Sequence, residues 1–301
     1  MRIYYDGSAW RATKIGSHRT PMTEHIRDTT VLITGSTDGI GKQTAIKLAT
    51  LGATVLLHGR DKRRGTAVLA EIQKATQNPH IDLFVADLSS LTEVKALAQE
   101  VRSKHNRLNV LINNAGIYMK DRVLTTDGLE MTFAVNHLAP FLLTYSLLDL
   151  LKQNAPARIV NVSSVAHQRG SFDVKNLQGE RKFSPYGAYA LTKLANILFT
   201  IELADRLVGT GITVNCLHPG VIGTKLLRQG FNIDGDPLED GAETPVYLAT
   251  SPALEGITGR YFVKKHEVKL PTHAVDKRDR SELWRVSERL AGISWQSRWP
   301  Q

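Results

Sequence analysis

Short apolar runs and amphipathic stretches alternate along most of this chain. Val31-Leu32-Ile33 is too short for a helix, and it opens into Thr34-Gly35-Ser36-Thr37-Asp38-Gly39-Ile40-Gly41. Residues 42–50 then follow a helical pattern that stops at Leu51-Gly52, and Thr54-Val55-Leu56-Leu57-His58 begins a second apolar run. Strand, turn, helix and strand in that order predict buried parallel strands joined by crossover helices. The alternation persists to residue 263, with an apparent sixth strand at 212–217 and another around Tyr261-Phe262-Val263, so the chain is expected to form an α/β sheet wound on both sides with right-handed crossovers. The most apolar stretch, 131–151, is interrupted by Asn136, His137, Pro140 and Asp149. No run of about 18 uncharged apolar residues remains, which predicts a long buried helix rather than a membrane span.

Length and composition agree with one compact domain: 301 residues, 42% apolar, without internal repeats or low-complexity linkers. Residues 1–28 read as an N-terminal extension without the apolar core of a signal peptide or anchor, 29–263 as the folded domain, and 264–301 as a basic tail with a short helix at 281–290. With no such core in residues 1–28 a cytoplasmic location is expected, and the single cysteine, Cys216, falls in the sixth strand and excludes an intramolecular disulfide. The formal charge is +9, and residues 260–301 carry ten basic against five acidic side chains. Mixed signs on a helix flanked by Trp284 and Trp295 favour a wet terminal helix packed on the domain over a nucleic-acid or lipid contact, and no nucleic-acid motif is present.

The turn Gly35, Ser36, Thr37, Asp38, Gly39, Ile40, Gly41 has G-x-x-x-G-x-G spacing between a strand and a helix. Glycines there let the backbone approach a pyrophosphate, whose charge is stabilised by free N–H groups at the helix start. This predicts a Rossmann-type dinucleotide site. About 20 residues later, where a carboxylate for the adenosine ribose of NAD would stand, the chain has Arg60. A guanidinium matches the 2′-phosphate of NADP, so NADP(H) is preferred, while Asp61 leaves NAD(H) open. Ligands of open α/β sheets bind at the carboxyl ends of the strands, which places Asp87-Leu88 and Asn114-Ala115-Gly116 beside the adenine and ribose.

Tyr189 and Lys193 are four residues apart in a helical stretch. At that spacing the side chains share a face, so the ammonium is expected to favour the ionised phenol and bring its pKa down from about 10. Tyr261 and Lys265 repeat the spacing in a strand-like segment, where four residues span about 13 Å and the groups cannot cooperate.

Taken in order, the 34–41 turn, Asp87-Leu88, Asn113-Asn114-Ala115-Gly116, Asn136, Ser163-Ser164, Tyr189 with Lys193, and Pro219-Gly220 with Thr224 resemble the short-chain dehydrogenase/reductases over residues 29–263. Gly39-Ile40-Gly41-Lys42, Phe133-Ala134-Val135-Asn136-His137 and the long gap between Ser164 and Tyr189 are similar to the retinol dehydrogenase group, many of whose eukaryotic members have an N-terminal membrane anchor that this chain departs from. The resemblance implies about seven strands and a catalytic tetrad of Asn136, Ser164, Tyr189 and Lys193. Tyr189 would exchange a proton with the substrate oxygen, Ser164 would orient that oxygen, Lys193 would also hold the nicotinamide ribose, and Asn136 would support a water-linked proton path. It also places Pro219, Gly220 and Thr224 at the nicotinamide, although a Pro-Gly pair after a strand is also simply a turn. By analogy the 131–151 helix would pack against a second subunit, implying a homo-oligomer. No metal is implied.

The substrate would enter between residues 165–185 and 221–237, where Leu226, Leu227, Phe231 and Ile233 either line an apolar pocket or face the core. The expected reaction is hydride transfer between nicotinamide and a lipophilic aldehyde, ketone or alcohol. Two alternatives remain: a double-bond reductase similar to the light-dependent protochlorophyllide reductases, and a dinucleotide-sensing protein without chemistry.

Overall fold

The computed structural model describes residues 26–298 and the backbone of 2–5 and 10–13. Of the extension expected over 1–28, the described parts are two antiparallel strands, Arg2–Tyr5 and Trp10–Thr13, and a 3-10 turn at Ile26–Asp28; the rest lies outside the described residues.

The main sheet has eight strands: β1 Thr30–Ile33, β2 Thr54–Gly59, β3 Ile81–Val85, β4 Val110–Asn113, β5 Ala157–Val162, β6 Ile212–His218, β7 Tyr261–Val263 and β8 His266–Glu267. Their order is β8-β7-β6-β5-β4-β1-β2-β3, parallel except for β8. The seven expected strands are all present. The eighth folds back on β7 through Lys264 and Lys265, both with positive φ, so of the pair expected in one strand-like segment Tyr261 lies in β7 and Lys265 in the turn after it. The strand order reverses between β1 and β4, and that switch point opens a crevice at the carboxyl ends of the strands.

Successive strand residues point to opposite faces, so each strand feeds two cores. Leu32, Leu56, Phe84, Leu111 and Ile159 pack on one side under α3 (Leu91–Lys104) and the long helix α4 (Met131–Gln153). Val31, Ile33, Val55, Leu57, Val110 and Ile112 pack on the other under α1 (Gly39–Thr50) and α2 (Lys62–Thr76). Burying each such side chain contributes about 1.5–3 kcal/mol.

Helix α4 is not uniform. Pro140 has no N–H to give the carbonyl four residues back, that of Asn136, and the chain widens into a π-turn over Ala134–Leu138 in which the Ala139 N–H donates to the Ala134 carbonyl. The apolar residues of α4, the helix expected by analogy to pack against a second subunit, are buried within the chain by α3, by α5 (Pro185–Arg206), and by Trp284 and Trp295 from the C-terminal segment. After α6 (Lys225–Phe231), α7 (Leu238–Gly241) and α8 (Glu243–Thr250), the tail helix is α9 (Lys277–Ala291), longer than the expected 281–290. Trp295 is fully buried, and Arg206 lies 4.2 Å above the Trp284 ring.

Candidate active site

The Gly-rich turn links β1 to α1 and is held from three sides. Asn114 at the end of β4 donates through Nδ2 to the carbonyls of Thr34 (2.8 Å) and Gly35 (3.2 Å). Thr34 Oγ1 accepts the N–H groups of Asn114 and Ala115. His58, buried at the end of β2, accepts the Gly35 N–H at Nδ1 (3.1 Å), so Nε2 carries the proton toward the Ala86 carbonyl (3.1 Å). Burial lowers this imidazole to about 4 and keeps it neutral. Gly35 adopts φ +64°, and a Cβ on Gly41 would overlap Asn114 Nδ2 and the Gly35 carbonyl, so neither position accepts a side chain.

This turn forms one wall of a cleft of about 730 Å³ that runs across the carboxyl ends of β1, β2, β4, β5 and β6. Every residue predicted to contact the cofactor lines it except Ser36: Gly35, Thr37, Asp38, Gly39, Ile40, Gly41, Arg60, Asp87, Leu88, Asn114, Ala115, Gly116, Tyr189, Lys193, Pro219, Gly220 and Thr224. Ser36 is a correction. It is fully buried, its Oγ accepting the His58 N–H (2.9 Å), so it braces the turn from behind. Asp61 caps α2 by accepting the Arg64 N–H, and Thr224 caps α6 (Lys225–Phe231) by accepting the Leu227 N–H. The first-turn amides of α1 have no partner within the helix, and the glycines leave room for a backbone approach, so these residues fit a dinucleotide pyrophosphate.

The residues expected to be catalytic gather at the far end of the cleft, which Ser164, Tyr189 and Lys193 line and Asn136 does not. The serine pair after β5 divides: Ser163 Oγ donates to the Lys193 carbonyl (2.7 Å) and ties α5 to the sheet, while Ser164 Oγ accepts the Ala166 N–H (3.2 Å) and acts to lower the Tyr189 phenol. Asn136, set by the π-turn, accepts the Ile117 N–H (2.8 Å) and donates to the Ile117 carbonyl (2.9 Å) and to Thr192 Oγ1 (3.1 Å), fixing the chain after β4. Lys193 Nζ donates to the Val162 carbonyl (3.1 Å) and lies 5.4 Å from the centre of the Tyr189 ring.

The expected lowering of the phenol by Lys193 is not what these contacts produce. Burial pushes Tyr189 up to about 12, and the group that pulls it down is Ser164. The ammonium donates to the Val162 carbonyl, and burial lowers Lys193 itself to about 8.

On the substrate side, Leu226, Leu227, Phe231 and Ile233 all line the cleft and none is core. Tyr118, Tyr186 and Tyr189 surround Phe231, with ring centres 4.8, 6.0 and 5.8 Å away. Sequence reasoning missed Tyr118 and Tyr186, and also His58, Arg64 and Lys225. Arg64 lies one turn into α2 and pairs with Asp38, which Lys225 also reaches at 2.9 Å. Burial acts to raise the Asp38 carboxyl, but Lys225, Arg64 and the Gly39 N–H together hold it below its usual value. Cys216 is buried in β6, and burial raises its thiol to about 12, leaving it inert.

Comparison with known proteins agrees with this arrangement. Mouse retinol dehydrogenase 12 is 40% identical over 275 residues, covering 88% of this chain and 87% of that protein, and human retinol dehydrogenase 14 is 42% identical over 291 residues, covering 88% and 86%. An uncharacterised protein from Mycobacterium paratuberculosis superimposes with a TM-score of 0.74 at 32% identity over 88% of this chain and 94% of its own. The Pseudomonas aeruginosa RhlG/NADP active-site complex gives 0.65 at 27% identity, covering 78% and 93%. The sequence profile described as short chain dehydrogenase matches residues 29–232, from the strand before the glycine turn to past the catalytic helix. With Tyr189, Lys193 and Ser164 gathered at the open end of a dinucleotide crevice, the chain belongs to the short-chain dehydrogenase family and is an NAD(P)-dependent oxidoreductase of alcohol and carbonyl substrates.

Proposed function

We propose that this enzyme transfers hydride between NADP(H) and a lipophilic aldehyde, ketone or alcohol, with Tyr189 as the acid/base. The observation that carries this reading is the aromatic and aliphatic wall of Tyr118, Tyr186, Phe231, Leu226 and Leu227 beside the Tyr189 and Ser164 hydroxyls. A polar carbonyl end meets two hydroxyls there, and an apolar body meets rings.

When bound, the nicotinamide supplies the hydride and, oxidised, a positive charge. In reduction, Tyr189 gives its proton to the substrate oxygen, and a phenol near 12 arrives fully protonated at neutral pH. Ser164 holds the same oxygen and the phenol together, so negative charge developing on that oxygen has a donor in place. Ser164, the group that pulls the phenol down, favours the phenolate left behind, and the Lys193 ammonium is left to hold the nicotinamide ribose. In oxidation the phenolate takes the proton back. Asn136 keeps Ile117 and the β4 end in register with this group.

The NADP preference is supported by the Arg60 and Arg64 guanidiniums at the adenosine end and by an Asp61 already engaged as a helix cap. Steady-state kinetics with a panel of lipophilic carbonyls is expected to give kcat/KM at least about tenfold higher with NADPH than with NADH, a ratio of one charge-assisted contact. Turnover confined to small polar sugars contradicts the substrate reading, and equal use of both cofactors contradicts the preference. A cytoplasmic location belongs to the same proposal, supported by the burial of α4, the one described helix apolar and long enough to cross a membrane. Retention of the chain in alkali-washed membranes contradicts it.

A further inference from the structure

The turn that carries Ser164 is closed by a side chain that no step of the proposed reaction uses. β5 ends at Val162, and a 3-10 turn, Val165–Arg169, follows the serine pair. His167 lies in that turn, 1% exposed, and reaches back to the Ser164 carbonyl twice, through Nδ1 (2.7 Å) and through its own backbone N–H (3.1 Å). A carbonyl oxygen only accepts, so Nδ1 carries the proton and Nε2 is a bare lone pair, buried and without a partner. Burial lowers the imidazole against the Ser164 carbonyl, which acts to raise it, so the ring is neutral at neutral pH.

The ring is also wedged in place. Tyr261 of β7 meets it edge-on with centres 5.0 Å apart, and His273 Nε2 lies 3.4 Å from the His167 carbonyl. The far end of the turn presses on the catalytic helix, where a Cβ on Gly170 would sit 2.7 Å from the carbonyl of Ala190, one residue past Tyr189. Ser164 is therefore set between a backbone that His167 locks and the helix that carries the phenol. Its Oγ accepts the Ala166 N–H in the same turn, and Ser164 is the group that acts to lower Tyr189.

We propose that His167 is a positioning residue that acts through Ser164: its Nδ1–H closes the turn after β5 and sets the Ser164 hydroxyl beside the Tyr189 phenol. Without that donor the Ser164 carbonyl loses the shorter of its two hydrogen bonds, the turn loosens, and the hydroxyl no longer holds the phenol down. Alcohol oxidation suffers most, because it needs the phenolate, and the pH at which it saturates moves up. The other groups at this corner are Lys193 and Tyr186 beside Tyr189, and Tyr261, His218 and His273 beside His167. The inference rests on the reading of Tyr189 as the acid/base, and it adds a residue that the reading does not need.

The test compares His167→Asn, whose side-chain amide offers an N–H in the place of Nδ1, with His167→Leu, both in the full chain. The readouts are kcat and KM for oxidation of a lipophilic alcohol with NADP+ across pH, and the thermal midpoint. His167→Leu is expected to lose about tenfold in kcat, the worth of one hydrogen bond, with KM held and the pH profile displaced upward. His167→Asn is expected to follow the wild type in both. Adding His167→Leu to Ser164→Ala should cost no more than Ser164→Ala alone, because both changes remove one effect. Nitrogen NMR of the free wild-type protein should show the His167 proton on Nδ1, a readout that needs neither turnover nor a folded variant. An Asn variant as slow as the Leu variant overturns the inference, since packing on Tyr261 and not the donor would then matter. Losses that multiply in the double variant overturn it, as does a proton on Nε2. Wild-type turnover by Tyr189→Phe is a separate outcome that overturns the acid/base reading itself.

Discussion

Lys193 sets the pH response of the site. Its ammonium is lowered to about 8 by burial, while the Tyr189 phenol is raised to about 12, so across the neutral range only the lysine changes charge. Reduction needs a protonated phenol and a charged ammonium, and raising the pH removes the second first. The pH profile of kcat/KM for carbonyl reduction is therefore expected to be level near neutrality and to fall through about 8; a profile that climbs between 8 and 10 contradicts this ordering. At Gly41 the constraint is steric. Gly41→Ala sets a methyl group on Asn114 Nδ2 and the Gly35 carbonyl, and dinucleotide affinity measured by fluorescence is expected to weaken about tenfold or more. The glycine turn and the Tyr189–Lys193 pair were legible because their chemistry is written in local spacing, and Asn136 and Ser164 only through the family resemblance. Arg64, His58 and Lys225 were not, because each gains its role from a partner 22 or more residues away: Asp38 for the two cations, and Gly35 and Ala86 for the imidazole. Ser36 was misplaced for a related reason, since membership of a turn does not say which way a side chain faces.

Helix α4 joins catalysis to packing. The sequence carried the signal for its π-turn in Pro140, four residues beyond Asn136, but the break that Pro140 implies was read as evidence against a membrane span rather than as the device that sets Asn136 beside Ile117. One turn detail also governs acid stability. His137 sits fully buried in that π-turn, its Nε2 2.8 Å from Ser287 Oγ of α9, and burial lowers it to about 4. An imidazole whose folded value lies below its free value of 6.5 gives stability that is complete above 6.5 and lost as pH falls toward 4. His58 and His218, also lowered to about 4, act in the same direction. The unfolding midpoint should drop from pH 7 to about 5, and His137→Leu should narrow the drop; an unchanged difference in the variant contradicts the assignment to His137. Helix α6 was legible only as a set of apolar residues, since nothing in its sequence says whether Leu226 and Phe231 face core or cleft.

On the scale of the whole molecule, the order of strands and helices was readable from alternating apolar runs, because a parallel sheet covered on both faces requires that pattern. The two-residue β8 was too short to register, whereas the tail was read as a wet helix packed on the domain beside Trp284 and Trp295. Leu283, Trp284, Val286 and Trp295 close the core over α4 and α5. The homo-oligomer expected by analogy is a proposal that sedimentation at micromolar concentration tests: a dimer or larger mass supports it, and a single-chain mass contradicts it. Trp295→Ala, which empties a fully buried ring site, is expected to cost about 3–5 kcal/mol of unfolding free energy by denaturant titration.

The most direct test of the central claim is the rate of NADPH consumption with a lipophilic aldehyde, followed by near-ultraviolet absorbance, for the wild type and Tyr189→Phe at equal cofactor occupancy. Loss of the phenolic proton donor is expected to lower kcat by about 10²–10⁴-fold while NADPH affinity holds, because the ring and its packing remain. Turnover by Tyr189→Phe at the wild-type rate contradicts the account, because proton transfer would then run through another group.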